Sequence, residues 1–290
     1  MSQHQTVSRR TFLAAAGALP MVMPAAFAAQ TRPFKVGLQL YSVRTAYGSD
    51  MPGTVTAVAK MGYEVVEFWS PYMQWDNAQA QDARQLLDGL GIACPSTHNP
   101  ASSLSGDGLK RAIELNQILG SRTIIAASPP PKLVTADAWK AFADTCAQAA
   151  ETLRPLGMRA GFHNHAIEWR AVDGQRPMDI LAAGTPRDFV LQFDIGTCVQ
   201  AGQDPVAWIN ANPGRIASMH CKDWGAGEGR GYAVAFAEGD APWLRIFQAA
   251  ESVGGIEHYF LEQEVPGPIG ELAMVRKCLE NYRTLRGAQA

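Results

Sequence analysis

GMRAGFHNHAIEW, residues 157–169, is the stretch on which the reading of this chain turns. Met158 to Phe162 has the short apolar run of a buried strand, and it ends in His163, Asn164, His165 and, after a brief turn, Glu168. Strand side chains alternate, so His163 and His165 are expected on one face and Phe162 and Asn164 on the other. Two imidazoles and a carboxylate at the end of an apolar strand need partners. The pattern recurs in three later stretches. LQFDIG (191–196) places Asp194 at a strand tip, ASMHCKD (217–223) places His220, and YFLEQE (259–264) places Glu262.

Working outward, strands and helices alternate from Phe34 onward. Strands are expected over 35–41, 63–69, 92–98, 123–127, 158–162, 189–194, 215–221 and 258–263. Helices are expected over 51–61, 78–90, 104–119, 135–156, 178–183, 205–212, 241–253 and 269–285, with Thr135 as an N-cap. Gly62, Gly91, Gly120 and Gly157 stand where helices should close. Eight strand–helix units with short apolar strands imply parallel pairing with helices outside. No glycine-rich phosphate loop follows the first strand, which argues against a doubly wound nucleotide-binding sheet. The expectation is an α/β fold, a single-domain (β/α)8 TIM barrel over residues 34–286, with its chemistry at the C-terminal ends of the strands.

The 290 residues are 47% hydrophobic and 18% charged, with a formal net charge of −2. Nucleic acid is not an expected partner, because no basic stripe offers phosphate contacts. Five scattered cysteines without a C-x-x-C pair read as small buried hydrophobes rather than a disulfide or zinc framework. Arg9 and Arg10 precede an apolar run that ends in Ala26-Phe27-Ala28. That order is expected of an export signal over residues 1–28, and SRRTFL resembles the twin-arginine type. Gly17, Pro20 and Pro24 interrupt the run, which disfavours a membrane anchor. A periplasmic protein with no membrane contact after cleavage is the expectation, with homo-oligomerisation left open.

Asp194, His220 and Glu262 end three consecutive strands, and such neighbours converge above a barrel. Their oxygens and nitrogen suit one divalent ion, Mn²⁺, Mg²⁺, Co²⁺ or Zn²⁺, with His163 as fourth ligand. A charge-balanced polar cap is the alternative for the same residues. Lys222 lies on the face of His220 and is a candidate to steady an oxyanion or to pair with Asp223 or Glu264. His98, His165 and Glu67 are candidates for substrate contact or for orienting neighbours, and Trp69 for stacking on a sugar ring. Residues 225–239, GAGEGRGYAVAFAEG, are either a lid or a plain loop.

The stretches VGLQLYSVR (36–44), GYEVVEF (62–68), GFHNHAIEW (161–169), FDIGTCVQAGQDP (193–205), MHCKDW (219–224) and FLEQE (260–264) together resemble the sugar phosphate isomerase/epimerase superfamily, the xylose-isomerase-like barrels. The resemblance implies that Asp194, His220 and Glu262 hold a metal, manganese first among the candidates. Many members carry a glutamate where His163 stands, so the pair of glutamates facing the sugar carbon is incomplete here. Glu168 is then a candidate base or replacement ligand, beside Glu262 as the main proton-transfer group. The implied activity is isomerisation or epimerisation of a non-phosphorylated carbohydrate through an enediolate. Relatives with the HNH pattern bring a second reading, β-elimination of the aglycone from a 3-keto glycoside. A non-catalytic sugar-binding barrel is the third. DNA-repair endonucleases share the barrel but assemble more ligands and a basic groove, which this chain lacks.

Overall fold

Eight short parallel strands carry the fold of the computed structural model, which describes residue 1 and residues 34–287. The expected export signal falls, apart from Met1, outside the described residues. The strands are β1 (Lys35–Gln39), β2 (Val65–Glu67), β3 (Ser96–Asn99), β4 (Thr123–Ala126), β5 (Arg159–His163), β6 (Val190–Asp194), β7 (Ser218–Cys221) and β8 (His258–Leu261). Hydrogen bonding runs β2-β1-β8-β7-β6-β5-β4-β3. Parallel bridges from Val65 to Ala93 and from Phe68 to Thr97 join the two ends, so the sheet closes into a near-barrel.

The helices are α1 (Arg44–Ser49), α2 (Met51–Met61), α3 (Asn77–Leu90), α4 (Gly106–Leu119), α5 (Ala136–Leu153), α6 (Pro177–Gly184), α7 (Ile195–Gln200), α8 (Pro205–Ala211), α9 (Trp243–Ala249) and α10 (Glu271–Gly287). Thr135 caps α5 as expected, its hydroxyl accepting from Ala138 N at 3.2 Å. All four predicted closing glycines adopt left-handed φ, between 67° and 97°. The five cysteines are buried and unpaired. Among the described residues no helix is long and apolar enough to cross a membrane.

Alternation along the strands divides the core in two. Leu38, Phe162, Phe193, Met219 and Tyr259 face outward into the hydrophobic layer beneath the helices. The alternate residues face the barrel axis, and there the strands crowd. A Cβ on Gly37 would stand 2.6 Å from Val65 and 2.7 Å from Phe260. Gly37→Ala is therefore expected to cost about 1–3 kcal/mol through overpacking, read as a lower thermal midpoint. An unchanged midpoint would mean that the interior has slack.

Several strands are shorter than their apolar runs, because ladder pairing stops where the chain splays toward its loops. Of the run 63–69 only Val65–Glu67 is continuous strand, with Phe68 joined by its single bridge, and 215–221 keeps only Ser218–Cys221. Helix α7 is absent from the sequence reading. It begins directly at Asp194, whose side chain caps it. An aspartate two residues ahead of Gly196-Thr197 carried that signal.

Candidate metal centre

His163 closes β5, Asp194 closes β6, His220 lies in β7 and Glu262 follows β8. One donor atom from each lies within 4.8 Å of the others, and all four residues are buried. Register explains the convergence: Asp194 pairs with His220 across β6 and β7, so neighbouring tips stand at one height. The cap on α7 then orients Asp194. Its Oδ1 accepts Thr197 N at 2.8 Å, while Asn164 Oδ1 accepts Asp194 N at 2.9 Å. Asp194 Oδ2 is left without a hydrogen bond at full burial, with Lys222 Nζ at 3.2 Å and His163 Nε2 at 3.8 Å. A buried carboxylate oxygen that faces an imidazole and is met only by an ion pair is available as a ligand atom. These residues form a site that fits a divalent ion.

The layer below fixes the imidazoles. His163 Nδ1 donates to Gln192 Oε1 at 3.1 Å, which leaves Nε2 facing Asp194. His220 Nε2 donates to Glu67 Oε2 at 2.7 Å, and its Nδ1 meets Glu262 Oε2 at 2.8 Å. Glu67 also accepts from Gln39 Nε2 and Gln192 Nε2, each at 2.9 Å, and from the Ser96 hydroxyl. Gln192 donates further to Ser218 Oγ at 2.9 Å and binds His98 Nε2 at 2.5 Å through its oxygen. The His98 and His220 rings stack at 4.9 Å. Sequence reading missed Gln192, although it sits two residues before Asp194 on the same face.

Electrostatics follow from this packing. Burial pulls the His220 imidazole down, but the Glu262 and Glu67 carboxylates reverse that and push it up to about 10. Burial raises Glu67, yet His98 and His220 bring it down to about 2. Burial likewise raises Glu262, and Lys222 and His220 bring it well below the usual carboxylate range. His163 is held well below 6.5 by burial and by the neighbouring imidazoles and Lys222. Burial lowers Lys222, but Asp194, Glu262 and Glu264 raise it well above the ordinary lysine value.

In the metal-free protein near pH 7, His220 is thus an imidazolium and His163 is neutral. Binding of Mn²⁺ through the four residues is expected to release about one proton, and to tighten as pH rises toward 10. Because the folded pKa of His220 exceeds 6.5, its stabilisation of the metal-free barrel is full below pH 6.5 and is lost as pH rises through about 10. Calorimetry in two buffers of different ionisation enthalpy measures the release. A value of zero would take His220 out of the ligand set.

Above the ions' place lies a cavity of about 310 Å³ lined by Tyr41, Trp69, His98, His163, His165, Glu262 and Glu264, among others. Trp69, His98 and His165 thus belong to the wall of this cavity. Glu67 stands with the imidazoles rather than on the wall of this cavity: it is wholly buried beneath it, 2.7 Å from His220 Nε2 and 3.3 Å from His98 Nε2, the orienting position rather than a substrate contact. Glu168 is also fully buried and off the cavity wall. A short 3₁₀ turn, Ala166–Trp169, points Glu168 back onto its own chain, where Oε2 accepts His165 N at 2.7 Å. It shapes the turn that presents His165, and its Oε1 has no partner.

Lys222 Nζ is paired with Glu264 at 2.6 Å and stands 3.6 Å from Glu262 Oε2. Its ammonium lies 5.1 Å from the Tyr232 ring centroid, so the 225–239 loop reaches over the site. That loop is pinned rather than loose. Asp223 accepts from Gly239 N at 3.1 Å and from Trp243 Nε1 at 2.8 Å, Gln263 donates to Val234 O at 2.7 Å, and Phe236 is buried against Trp243. Trp169 packs against Phe193 and Trp208, an ordinary core role.

A family model described as "Xylose isomerase-like TIM barrel" matches residues 55–281. A sugar phosphate isomerase/epimerase from Parabacteroides distasonis superposes with a TM-score of 0.72 at 23% identity, covering 89% of this chain and 97% of that one. A D-psicose 3-epimerase superposes with a TM-score of 0.64 at 15% identity, covering 86% and 98%. At these identities the likeness is one of fold. Among curated proteins, the rhizopine catabolism protein MocC of Rhizobium meliloti is 32% identical over 85 residues, 29% of this chain; the match spans only 26% of that protein's length.

Proposed function

The chain belongs to the xylose isomerase-like TIM barrels, and on that premise we propose that it is a divalent-metal enzyme that isomerises or epimerises a sugar by proton transfer beside a carbonyl. The observation that carries the reading is the buried set His163, Asp194, His220 and Glu262, whose donor atoms all lie within 4.8 Å of one another. When bound, the ion supplies the Lewis acidity that holds negative charge developing as the carbon next to a carbonyl loses its proton. Two imidazole and two carboxylate donors suit Mn²⁺ first, Co²⁺ and Zn²⁺ next, and Mg²⁺ least.

The chain's own groups divide the remaining work. Glu262 reaches the cavity as an ionised carboxylate and is the group to accept the proton. Lys222, 3.6 Å from Glu262 Oε2 and 3.2 Å from Asp194 Oδ2, helps keep Glu262 ionised and is the cation nearest to a developing oxyanion. His98 and His165 line the same cavity and are the groups to return a proton or bind hydroxyls. Trp69 and Tyr41 offer aromatic surface to a ring, and the cavity has room for about one. The expected export, with no glycine-rich phosphate loop after the first strand, supports a non-phosphorylated substrate. The near-zero net charge supports a carbohydrate rather than a nucleic acid partner.

A second reading has its own support. The carboxylates on the cavity wall, Glu262 and Glu264, both follow β8, and Glu168 does not face them from β5. A base on one side suits β-elimination. The proton leaves the carbon beside the ketone of a 3-keto glycoside, a carbon–carbon double bond forms, and the glycosidic C–O bond breaks with its electron pair going to the aglycone.

Incubating metal-loaded protein in D2O with keto sugars and 3-keto glucosides decides among these. Deuterium entering next to the carbonyl with a new isomer or epimer supports the first reading, and aglycone release without one supports the second. Tight sugar binding with neither exchange nor turnover would make the chain a binding barrel. We also propose that it works in the periplasm, on the strength of SRRTFL and the A-F-A site. Export that survives replacement of both Arg9 and Arg10 by lysine would sink the twin-arginine route.

A further inference from the structure

Beside the metal centre runs a second, larger cavity of about 720 Å³, between the loop after β3, the loop after β4 and the outer face of α5. Ser128 borders both this groove and the catalytic cavity. We propose that the groove is a second subsite, which takes the apolar ring of a substituted sugar whose sugar ring lies over the metal centre. This rests on the reading of that centre as a sugar site.

The walls decide the chemistry of the occupant. They carry Ala101, Leu133, Phe142 and the run Pro129–Pro131, with serine and threonine as their polar members and no ionisable side chain. A phosphate would find no cation there. A second sugar ring would bring several hydroxyls to a surface with few partners for them, and an unpaired polar group is costly to cover. An aromatic or alicyclic ring meets neither obstacle and gains by leaving water.

The groove is also built in advance. Three consecutive prolines have fixed φ, and Lys132 turns the chain at φ 69°. Trp139 Nε1 donates to Leu133 O at 3.1 Å, and Asp173 accepts Ala136 N at 2.9 Å, so the loop is tied at its far end. A preformed apolar wall loses little entropy when filled. A free monosaccharide bound at the metal would leave this wall bare, whereas a glycoside with a ring-sized aglycone would cover it.

Equilibrium binding of methyl and phenyl 3-keto-β-D-glucosides to the metal-loaded protein tests the proposal. The phenyl compound should bind about tenfold tighter or better. Ala141→Glu, an exposed position on α5 that borders the groove, and Ala101→Trp on the opposite wall should each remove the preference and leave methyl glucoside binding unchanged. Equal affinities in the unaltered protein would overturn the proposal, as would a preference that survives both substitutions. A change of oligomer size on Ala141→Glu would assign the groove to contacts between copies of the chain and also overturn it. Should neither glucoside bind, the 3-keto glycoside reading of the metal cavity fails, and 2-naphthol alone then decides for the groove. Saturable naphthol binding lost in Ala141→Glu would uphold an apolar subsite, and no saturable binding would remove it.

Discussion

Glu262→Gln is expected to lower turnover by about a thousandfold or more with the metal saturating, since a positioned general base contributes roughly 10²–10⁴. The substitution is close to isosteric, so the barrel should remain folded. It nevertheless removes two things together. The amide takes no proton from carbon, and it no longer supplies the charge that faces His220 at 2.8 Å and Lys222 at 3.6 Å. The two losses separate on titration with metal. If excess Mn²⁺ restores turnover, Glu262 acts as a ligand and the base lies elsewhere, with Glu264 the nearest carboxylate on the same wall. If metal fills the site and deuterium exchange next to the carbonyl is still absent, Glu262 is the base. Activity within tenfold of the unaltered protein would dismiss it from both roles.

Asp194→Asn should weaken metal binding by at least about a hundredfold, because a group one layer outside a metal already contributes 10–100-fold and Asp194 is in the ligand set itself. The amide oxygen of asparagine can still accept Thr197 N, so α7 keeps its cap and the thermal midpoint of the metal-free protein should change little from that source. Asp194→Ala should lose the metal to the same degree and lose the cap as well, at about 1 kcal/mol. Comparing the two by metal analysis and thermal melting separates the carboxylate's electrostatic task from its structural one. Equal metal content in Asp194→Asn and the unaltered protein would remove Asp194 from the ligand set.

The parts of the site legible in the sequence are those where a strand's apolar pattern is broken at its tip by a group too costly to bury alone. Asp194, His220, Glu262 and His163 announce themselves in this way, and the structure brings all four together. The supporting layer is harder to see. Gln39, Ser96 and Gln192 are short or neutral polar residues inside strands, where such residues commonly pass as ordinary sheet positions, and only the closed barrel turns them onto one axis. Glu168 misleads for a different reason. Its distance from His163 along the chain permits a return to the cavity, and only the 3₁₀ geometry of Ala166–Trp169 sends it to its own backbone. Strand ends are overestimated because apolar periodicity reports burial, and burial extends beyond the ladder, as at Tyr63 before β2 and Ile216 before β7. The prolines of 129–131 read simply as a loop; that they wall a groove depends on α5 lying against the loop after β3.

Lys222 and the protonated His220 give the acidic cluster two positive charges of its own before any ion arrives. The two ligand carboxylates thus already face two cations of the protein's own, and acquiring a divalent ion becomes an exchange of a proton for an ion inside finished architecture. Assembly and charging are consequently separable in time.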